Sequence, residues 1–544
     1  MEQSTSTLTL GFDLSTQSLK VVAINTKLQV VYRSQVHFDS ELPHYKTHMG
    51  IHLKPDNGVT SPVLMFIEAL DLILSKMKSD KFPFQDVVAI SGSGQQHGSV
   101  YWTLEGKEIL EKLNEKERLV DQFQVKKSFS LSDSPIWMDN STTEYCRKLE
   151  NFLNGATNLA KRTGSKAYER FTGNQIAKVH DKTPEVYQNT IHISLISSFL
   201  AELFRGKFAN IDFSDGCGMN LLDLETKDWD PNICDFVAPN LQEKLDKPVP
   251  SHQILGKISQ YYVEKYGFRE DCFIIAFSGD NPNSLVGLGV FDENDVCISL
   301  GTSDTIFGLV PASTSNKSLE GHIFISPVDP ELHFVMICTK NGSSVRENVK
   351  RTFTENTWED FETHLEQTPP GNEGYLFLMY DYPEIVPYVE GSQVTYSFDK
   401  NGQRLDSLEN KFIIRGVLEG KFVALKYHAE KKGLVSKVDG KILVTGGGSK
   451  NKDILQILAN IFQKEVSTIQ VEDSAALGAA IRALHGYKAK DFNGFLKFKE
   501  VFSDFLKHRN QSLSVVKPDM STKQKYKALE DLYAKVLPQL TNKS

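Results

Sequence analysis

At 544 residues the chain is too long for one hydrophobic core and predicts roughly two to four domains. With 40% hydrophobic and 24% charged residues it has the composition of a soluble globular protein, with no low-complexity tract. A net charge of −8 without a basic stripe excludes a nucleic-acid binder, so an anionic substrate must be held by local backbone N–H groups or a metal.

The opening residues, MEQSTSTLTLG, carry neither a basic n-region nor an apolar h-region, so no secretory signal is expected. No run approaches the roughly eighteen apolar residues that span a bilayer, so no membrane partner is expected. Cys146, Cys217, Cys234, Cys272, Cys297 and Cys338 are scattered without a C-x-x-C pair. Neither a disulfide framework nor a zinc site is supported, which fits a reduced, cytoplasmic protein.

Residues 7–24, TLTLGFDLSTQSLKVVAI, alternate apolar and polar positions, break at Ser15-Thr16-Gln17-Ser18, and turn apolar again. This is the pattern of a β-hairpin with a polar turn. A helix is predicted over 61–78, then a buried strand over 87–90 that ends in Ser91-Gly92-Ser93-Gly94. Ser141-Thr142-Thr143-Glu144 reads as a capping box opening a helix. Thr183-Pro184-Glu185 opens another, with Ile193, Ile196, Leu200, Leu203 and Phe204 as its apolar stripe. In FIIAFSGDNPNS, residues 273–284, an apolar run stops at Asp280, with Pro282 starting a helix and Asn281 near its cap. Asp280 is there either as a turn residue or as a carboxylate held at the end of a buried strand.

Residues 296–310, VCISLGTSDTIFGLV, repeat the first layout: strand, Gly301-Thr302-Ser303-Asp304, strand. Two such openings point to a duplicated architecture. A strand over 441–445 breaks at Gly446-Gly447-Gly448-Ser449, and a helix follows with Ile454, Leu458, Ile461 and Phe462 on one face. SAALGAA, residues 474–480, begins a helix whose small residues permit close approach to a neighbour.

No Walker loop, protein-kinase signature or complete dinucleotide fingerprint occurs; the Gly92–Gly98 stretch has one residue too many before its last glycine. What the chain does hold is a combination: two hairpins with phosphate-sized turns, a GGGS loop, and two strand-end aspartates, Asp13 and Asp280. A nucleotide polyphosphate needs backbone donors, magnesium needs one or two carboxylates, and a phosphoryl acceptor needs a base.

These motifs resemble a known family. GFDLSTQS, SLGTS, TGGGSKN and EDSAALGAA are similar to the phosphate, adenosine and connecting motifs of the actin-like ATPase fold. DFSDGCGMNLLD at 212–223, followed by Trp229-Asp230, resembles the FGGY carbohydrate kinases. GQQHG at 94–98, ERFTGNQIAK at 169–178 and FSGDN at 277–281 resemble the eukaryotic xylulokinase group within it. The similarity covers about residues 7 to 490. Three departures stand out: Asp181 where many members have tryptophan, an apparent insertion at 103–133, and a weak match over 355–410.

The resemblance implies an α/β chain of two actin-like (ribonuclease H-like) domains with a sugar/ATP cleft that closes on binding. Its domains are expected at 1–277 and 278–490, with a helical tail at 491–544. It implies transfer of the γ-phosphoryl of Mg-ATP to the terminal hydroxyl of D-xylulose, with Asp280 as the base. His97, Arg170, Asp280 and Asn281 are expected on the sugar and Asp13 on Mg2+. Thr16, Gly301, Thr302, Trp358, Gly446, Gly447, Gly448 and Asn451 are expected on ATP. The expected partners are small molecules, sugar and ATP, for a monomer or homodimer. The alternatives are an FGGY kinase for ribulose, gluconate or glycerol, or a non-metabolic actin-like ATPase.

Overall fold

The computed structural model describes residues 7–541 apart from 125, 126, 294, 436–439, 493 and 494, with backbone alone at 508–512. The chain divides into two compact units. The first comprises Met1–Phe291, Ile323–Leu332 and Glu472–Leu506; the second comprises Asp292–His322, His333–Val471 and Lys507–Ser544.

In the first unit β1 (Leu8–Leu14), β2 (Ser18–Asn25) and β3 (Val30–His37) form an antiparallel meander. The predicted hairpin is β1–β2, with Leu14 opposite Leu19. β4 (Val87–Gly94), β5 (Ile254–Lys257), β6 (Phe273–Ile275) and β7 (Ser278–Gly279) complete the sheet. Its order is β5–β6–β4–β1–β2–β3, with β7 also on β4, and β1, β6 and β7 all run parallel to β4. Every residue of β1 and β4 is buried, as expected of parallel strands covered on both faces. Pairing with β1 as far as Leu14–Gly94, and with β7 at Ser93 and Gly94, carries β4 on through Ser91–Gly94, which the sequence placed in a turn.

The Val63–Ser79 helix packs on β2 and β3, and the Ser474–Ala489 helix packs on β1, β4 and the Asp280–Gly287 helix. Small residues set these distances. A Cβ added at Gly11 would lie 1.9 Å from the Ala476 carbonyl oxygen, and one at Gly478 would lie 1.8 Å from that of Asn283. Backbone atoms cannot yield as side-chain tips do. Gly478→Ala is therefore expected to destabilise the protein by at least about 3 kcal/mol, read as a lowered unfolding temperature.

The second unit repeats the opening with β8 (Val296–Leu300) and β9 (Asp304–Pro311), antiparallel as predicted. β10 (Leu332–Thr339), β11 (Ile442–Thr445), β12 (Val466–Thr468) and β13 (Val515–Val516) give the order β10–β9–β8–β11–β12–β13. β8 is parallel to β11, as β1 is to β4. Each unit thus has a hairpin whose first strand pairs in parallel with a later strand, the ribonuclease H-like arrangement of actin-like domains. Among the described residues no helix is long and apolar enough to cross a membrane.

Three local expectations change. The helix predicted from Thr183 is split into Pro184–Asn189, a strand at His192–Leu195 and a second helix, Ile196–Arg205. The strand pairs antiparallel with Ser99–Trp102, so Ile193 serves a sheet while Ile196, Leu200, Leu203 and Phe204 serve the helix. The capping box does not form: the Thr142 hydroxyl donates to the Glu169 carbonyl at 2.5 Å, although the helix Thr143–Phe152 is there. Finally, the compact units do not follow the boundaries drawn from sequence. Residues 278–291 and 472–506 group with the first unit, because the glycine-tight packing of the Ser474–Ala489 helix is against that sheet.

Candidate active site

The first unit gathers its chemistry at the carboxyl ends of three parallel strands, where open α/β sheets hold their ligands. Register places Asp13 beside Ser93, and Ser93 beside Ser278. Asp280 then begins the Asp280–Gly287 helix with Gly279 as its N-cap, two residues earlier than the start at Pro282 read from sequence. Asp280 is thus both the turn residue and the strand-end carboxylate.

Asp13 is 5% exposed; its Oδ2 accepts from the Ser15 hydroxyl at 2.6 Å, while Oδ1 is buried without a hydrogen-bond partner. Burial raises its pKa, opposed by Ser15 and Lys20. Asp280 remains partly accessible, and its Oδ1 accepts from the Asn281 N–H at 2.8 Å and from Asn281 Nδ2 at 3.0 Å. Burial, with the negative charge of Asp13 second, pushes its carboxyl up to about 7, against the lowering effect of nearby backbone N–H groups. An acid poised there accepts a proton near neutral pH more readily than an ordinary carboxylate.

His97 is the other half of this cluster, and it is buried. Its backbone is left-handed at φ 73°, its ring stacks on Phe171 at 4.5 Å, and Nδ1 donates to the Gly218 carbonyl at 2.8 Å. That carbonyl fixes the proton on Nδ1 and leaves Nε2 as an acceptor. Burial first and the charge of Arg170 second depress the ring to about 3, so it stays neutral. The Arg170 guanidinium lies over Tyr168 at 4.6 Å and Phe171 at 5.5 Å, held by the same aromatic layer. Gln96, adjacent to His97, accepts from Asn281 Nδ2 at 2.9 Å. Thr16 lies against the same segment, with its hydroxyl 3.2 Å from Gln95 Oε1 and 2.9 Å from the Trp137 indole nitrogen. His97, Arg170, Asp280, Asn281, Asp13 and Thr16 are therefore brought together in one unit.

In GSGQQHG the packing itself requires the first two glycines. A Cβ at Gly92 would meet the Phe277 ring at 2.2 Å, and one at Gly94 the Ser197 backbone nitrogen at 2.4 Å.

In the second unit the Gly301–Ser303 turn is pinned by the start of the Ser343–Phe353 helix: the Ser343 N–H donates to the Gly301 carbonyl at 2.8 Å. Asp304, which ends the turn, is fully buried and paired at both oxygens with Arg346, at 2.6 and 2.9 Å. Removing one member of such a buried pair costs about 3–5 kcal/mol, so the pair fixes the turn. The glycine loop lies beside Leu300: Gly446 has φ 87° and its Cβ would be 2.5 Å from the Leu300 carbonyl oxygen. A Cβ at Gly448 would be 2.9 Å from Leu300 Cβ, whereas one at Gly447 would meet nothing within 4 Å. Gly301, Thr302 and Gly446–Gly448 thus sit side by side. Asn451 caps the Lys452–Phe462 helix, accepting from the Asp453 and Ile454 N–H groups at 3.0 Å each, and donates to Glu362 at 2.7 Å. Glu362 stands on the Trp358–Glu366 helix, one turn beyond Trp358. Asn451 and Trp358 are linked this way, and the Trp358 ring also carries Lys350 at 5.0 Å.

Residues 125–287 match the N-terminal domain of the FGGY family of carbohydrate kinases, and residues 296–487 match its C-terminal domain. The chain belongs to the FGGY family. Its relatives include the xylulose kinase of Rattus norvegicus, 44% identical over 98% of this chain and 97% of that one. The xylulose kinase of Mus musculus is 45% identical over 96% of this chain and 93% of its own. Among solved structures, a ligand-bound xylulose kinase from Lactobacillus acidophilus superposes with a TM-score of 0.77 at 20% identity, covering 98% of both chains. At that identity the match speaks for the two-domain actin-like fold.

Against the FGGY pattern, Asp181 accepts from the Tyr145 hydroxyl at 2.7 Å, an interaction no tryptophan offers. Sequence reasoning passed over several residues that hold these segments in place. Gln96 lay inside a quoted motif without a role, Asp215 and Asp212 inside another, and Arg346 in no motif at all. Arg482 was hidden in the small-residue helix; it is 1% exposed and donates to Asn283 Oδ1 at 3.0 Å and the Ala276 carbonyl at 2.7 Å. A cation among alanines is the only signal that could have found it.

Proposed function

We propose that the chain transfers the γ-phosphoryl group of ATP to the terminal hydroxyl of D-xylulose, giving D-xylulose 5-phosphate and ADP. The observation that carries this reading is Asp280: a strand-end carboxylate raised to about 7, still accessible, and bonded to an asparagine that stands among hydroxyl-recognition groups. The choice of D-xylulose follows the relatives' names.

The acceptor hydroxyl loses its proton to Asp280 as its oxygen bonds to the γ-phosphorus, and the bridging oxygen leaves with ADP. The transition state is loose, so positioning matters more than nucleophile strength. His97 offers Nε2 to a sugar hydroxyl, Asn281 its amide, and the cation of Arg170 fixes the ketose. In the second unit Gly301 and Thr302 receive phosphate, and Gly446–Gly448 with Trp358 and Asn451 receive the nucleoside. Asn451 acts by placing the loop and helix, since both ends of its amide are engaged.

Among the described residues no group of three or more His, Cys, Asp and Glu side chains could hold a metal by itself. That suits Mg2+, which keeps waters and phosphate oxygens and asks for one or two carboxylates. The orphaned buried Asp13 Oδ1 fits such a hydrated ion, which supplies neutralisation of phosphate charge when bound. The same reading takes the enzyme to be cytoplasmic, a monomer or homodimer, acting on small molecules.

ADP release measured across D-xylulose, D-ribulose, gluconate and glycerol tests the reading. D-Xylulose is expected to give a kcat/KM at least ~10-fold above the others, the scale of one or two well-made hydrogen bonds. Release that ignores sugar, or that favours D-ribulose, gluconate or glycerol over D-xylulose, overturns it.

A further inference from the structure

Asp215 is a buried carboxylate that neither the sugar nor the nucleotide assignments use. It stands in the short Phe213–Gly216 helix, and its N–H donates to the Asp212 carboxylate at 2.9 Å. Both of its oxygens have partners: the Ser197 hydroxyl is 2.5 Å from Oδ2, and Gln96 Nε2 is 3.4 Å from Oδ1. Gln96 is itself only 3% exposed, and its other end, Oε1, accepts from Asn281 Nδ2. The same Nδ2 reaches Asp280 Oδ1. Space is tight along this row: a Cβ at Gly279 would fall 2.4 Å from Gln96 Cγ and 2.7 Å from Asp215 Oδ1.

A primary amide has one donor end and one acceptor end. An acceptor facing Gln96 Nε2 therefore decides that Oε1, not Nε2, faces Asn281. Asn281 must then turn its own donor end toward Gln96 and Asp280. Remove the acceptor and Gln96 loses what holds its amide; flipped, it would set two donors against each other. We propose that Asp215 is a positioning residue for phosphoryl transfer, setting the orientation of Asn281 and Asp280 through the Gln96 amide. The inference rests on the sugar-kinase reading of that pair.

The charge environment is consistent with this role. Asp212 and Asp280 are the negative groups facing Asp215, Arg482 stands 3.8 Å from Asp212, and the Cys217 thiol is the neutral titratable neighbour. Burial first and Asp212 second push the Asp215 carboxyl up to about 8. A proton on Oδ2 has the Ser197 oxygen to bond to, so Oδ1 stays an acceptor for Gln96 in either state. Asparagine at this position reproduces that arrangement, with Nδ2 donating to Ser197 and Oδ1 accepting from Gln96.

The test is steady-state kinetics of Asp215→Leu, Gln96→Leu, their double variant and Asp215→Asn. Each leucine variant is expected to raise KM for D-xylulose or lower kcat by a combined ~10-fold or more, with KM for ATP unchanged. The double variant should be no worse than the worse single, because one relay is cut once or twice. Asp215→Asn should stay within about threefold of wild type, a smaller loss than that of one hydrogen bond. Effects that add, sugar constants untouched by Asp215→Leu, or Asp215→Asn failing like leucine in a folded protein would each overturn the proposal. Should the leucine variants not fold, Gln96→Glu sets a carboxylate against Asp215 and is expected to impair sugar turnover; adding Asp215→Asn, whose amide then turns Nδ2 toward the new carboxylate while Oδ1 accepts from Ser197, is expected to restore it, and absence of recovery overturns the proposal. A wild-type enzyme without sugar-dependent ADP release would sink the kinase reading and this inference together, whereas an active wild type with indifferent variants sinks the inference alone.

Discussion

Asp280→Asn is expected to lower kcat/KM for D-xylulose by about 10³-fold or more while nucleotide affinity stays within about twofold, since a positioned general base contributes roughly 10²–10⁴. Asparagine keeps the size of the side chain and still offers an oxygen to the Asn281 N–H that Asp280 now accepts at 2.8 Å. What it lacks is the ability to take the sugar proton. Nucleotide affinity is spared because Gly301, Thr302 and the glycine loop belong to the other compact unit, and Thr16 has its contacts with Gln95 and Trp137. Asp280→Ala should match it in rate, with the added loss of the Asn281 contact. The pH profile provides an independent reading. A base acts only when deprotonated, so with its carboxyl raised to about 7, kcat/KM should fall about tenfold per unit as pH drops below that value. The residual rate of Asp280→Asn should show no such limb. Near-wild-type turnover would remove Asp280 from the chemistry, whereas an acid limb at an ordinary carboxylate pH would show that its carboxyl is not raised in the working enzyme.

Gly447→Val is expected to raise KM for ATP by ~10-fold or more with KM for sugar unchanged, because a branched side chain enters space kept for the nucleoside. The variant is a clean probe: a Cβ at Gly447 meets no protein atom within 4 Å, so the fold has no reason to object. Its neighbours are not clean. Gly446 has φ 87° and a Cβ there would lie 2.5 Å from the Leu300 carbonyl oxygen, so a side chain strains the backbone whatever the ligand does. Unfolding temperature separates the two cases, with Gly447→Val close to wild type and Gly446→Val lowered. An unchanged KM for ATP in a folded Gly447→Val would remove this loop from the nucleotide site.

Both hairpins were legible in the sequence because strand alternation and a polar turn are local signals, read within about a dozen residues. Asp280 was legible as a strand-end residue for the same reason, and the start of its helix was missed by only two positions. The helix predicted from Thr183 failed where a local signal competes with a distant one. His192–Leu195 is as apolar as a helix face, and only pairing with Ser99–Trp102 makes it a strand. Gly92 and Gly94 were placed in a turn because their reason, the Phe277 ring and the Ser197 nitrogen, lies a hundred residues or more away in the chain.

By itself, then, the sequence determined the repeated strand–turn–strand openings, the glycine loop and the family, because these depend on residue types in short order. Only the tertiary structure decided that the Ser474–Ala489 helix seats on the first sheet, its glycine under the Asn283 carbonyl, and that Arg482 on it faces Asp212. It likewise decided that burial beside Asp13 lifts Asp280 toward neutrality, and that Gln96 carries Asp215 to Asn281. Desolvation and hydrogen-bond direction depend on what surrounds a group in space, and no spacing along the chain encodes that.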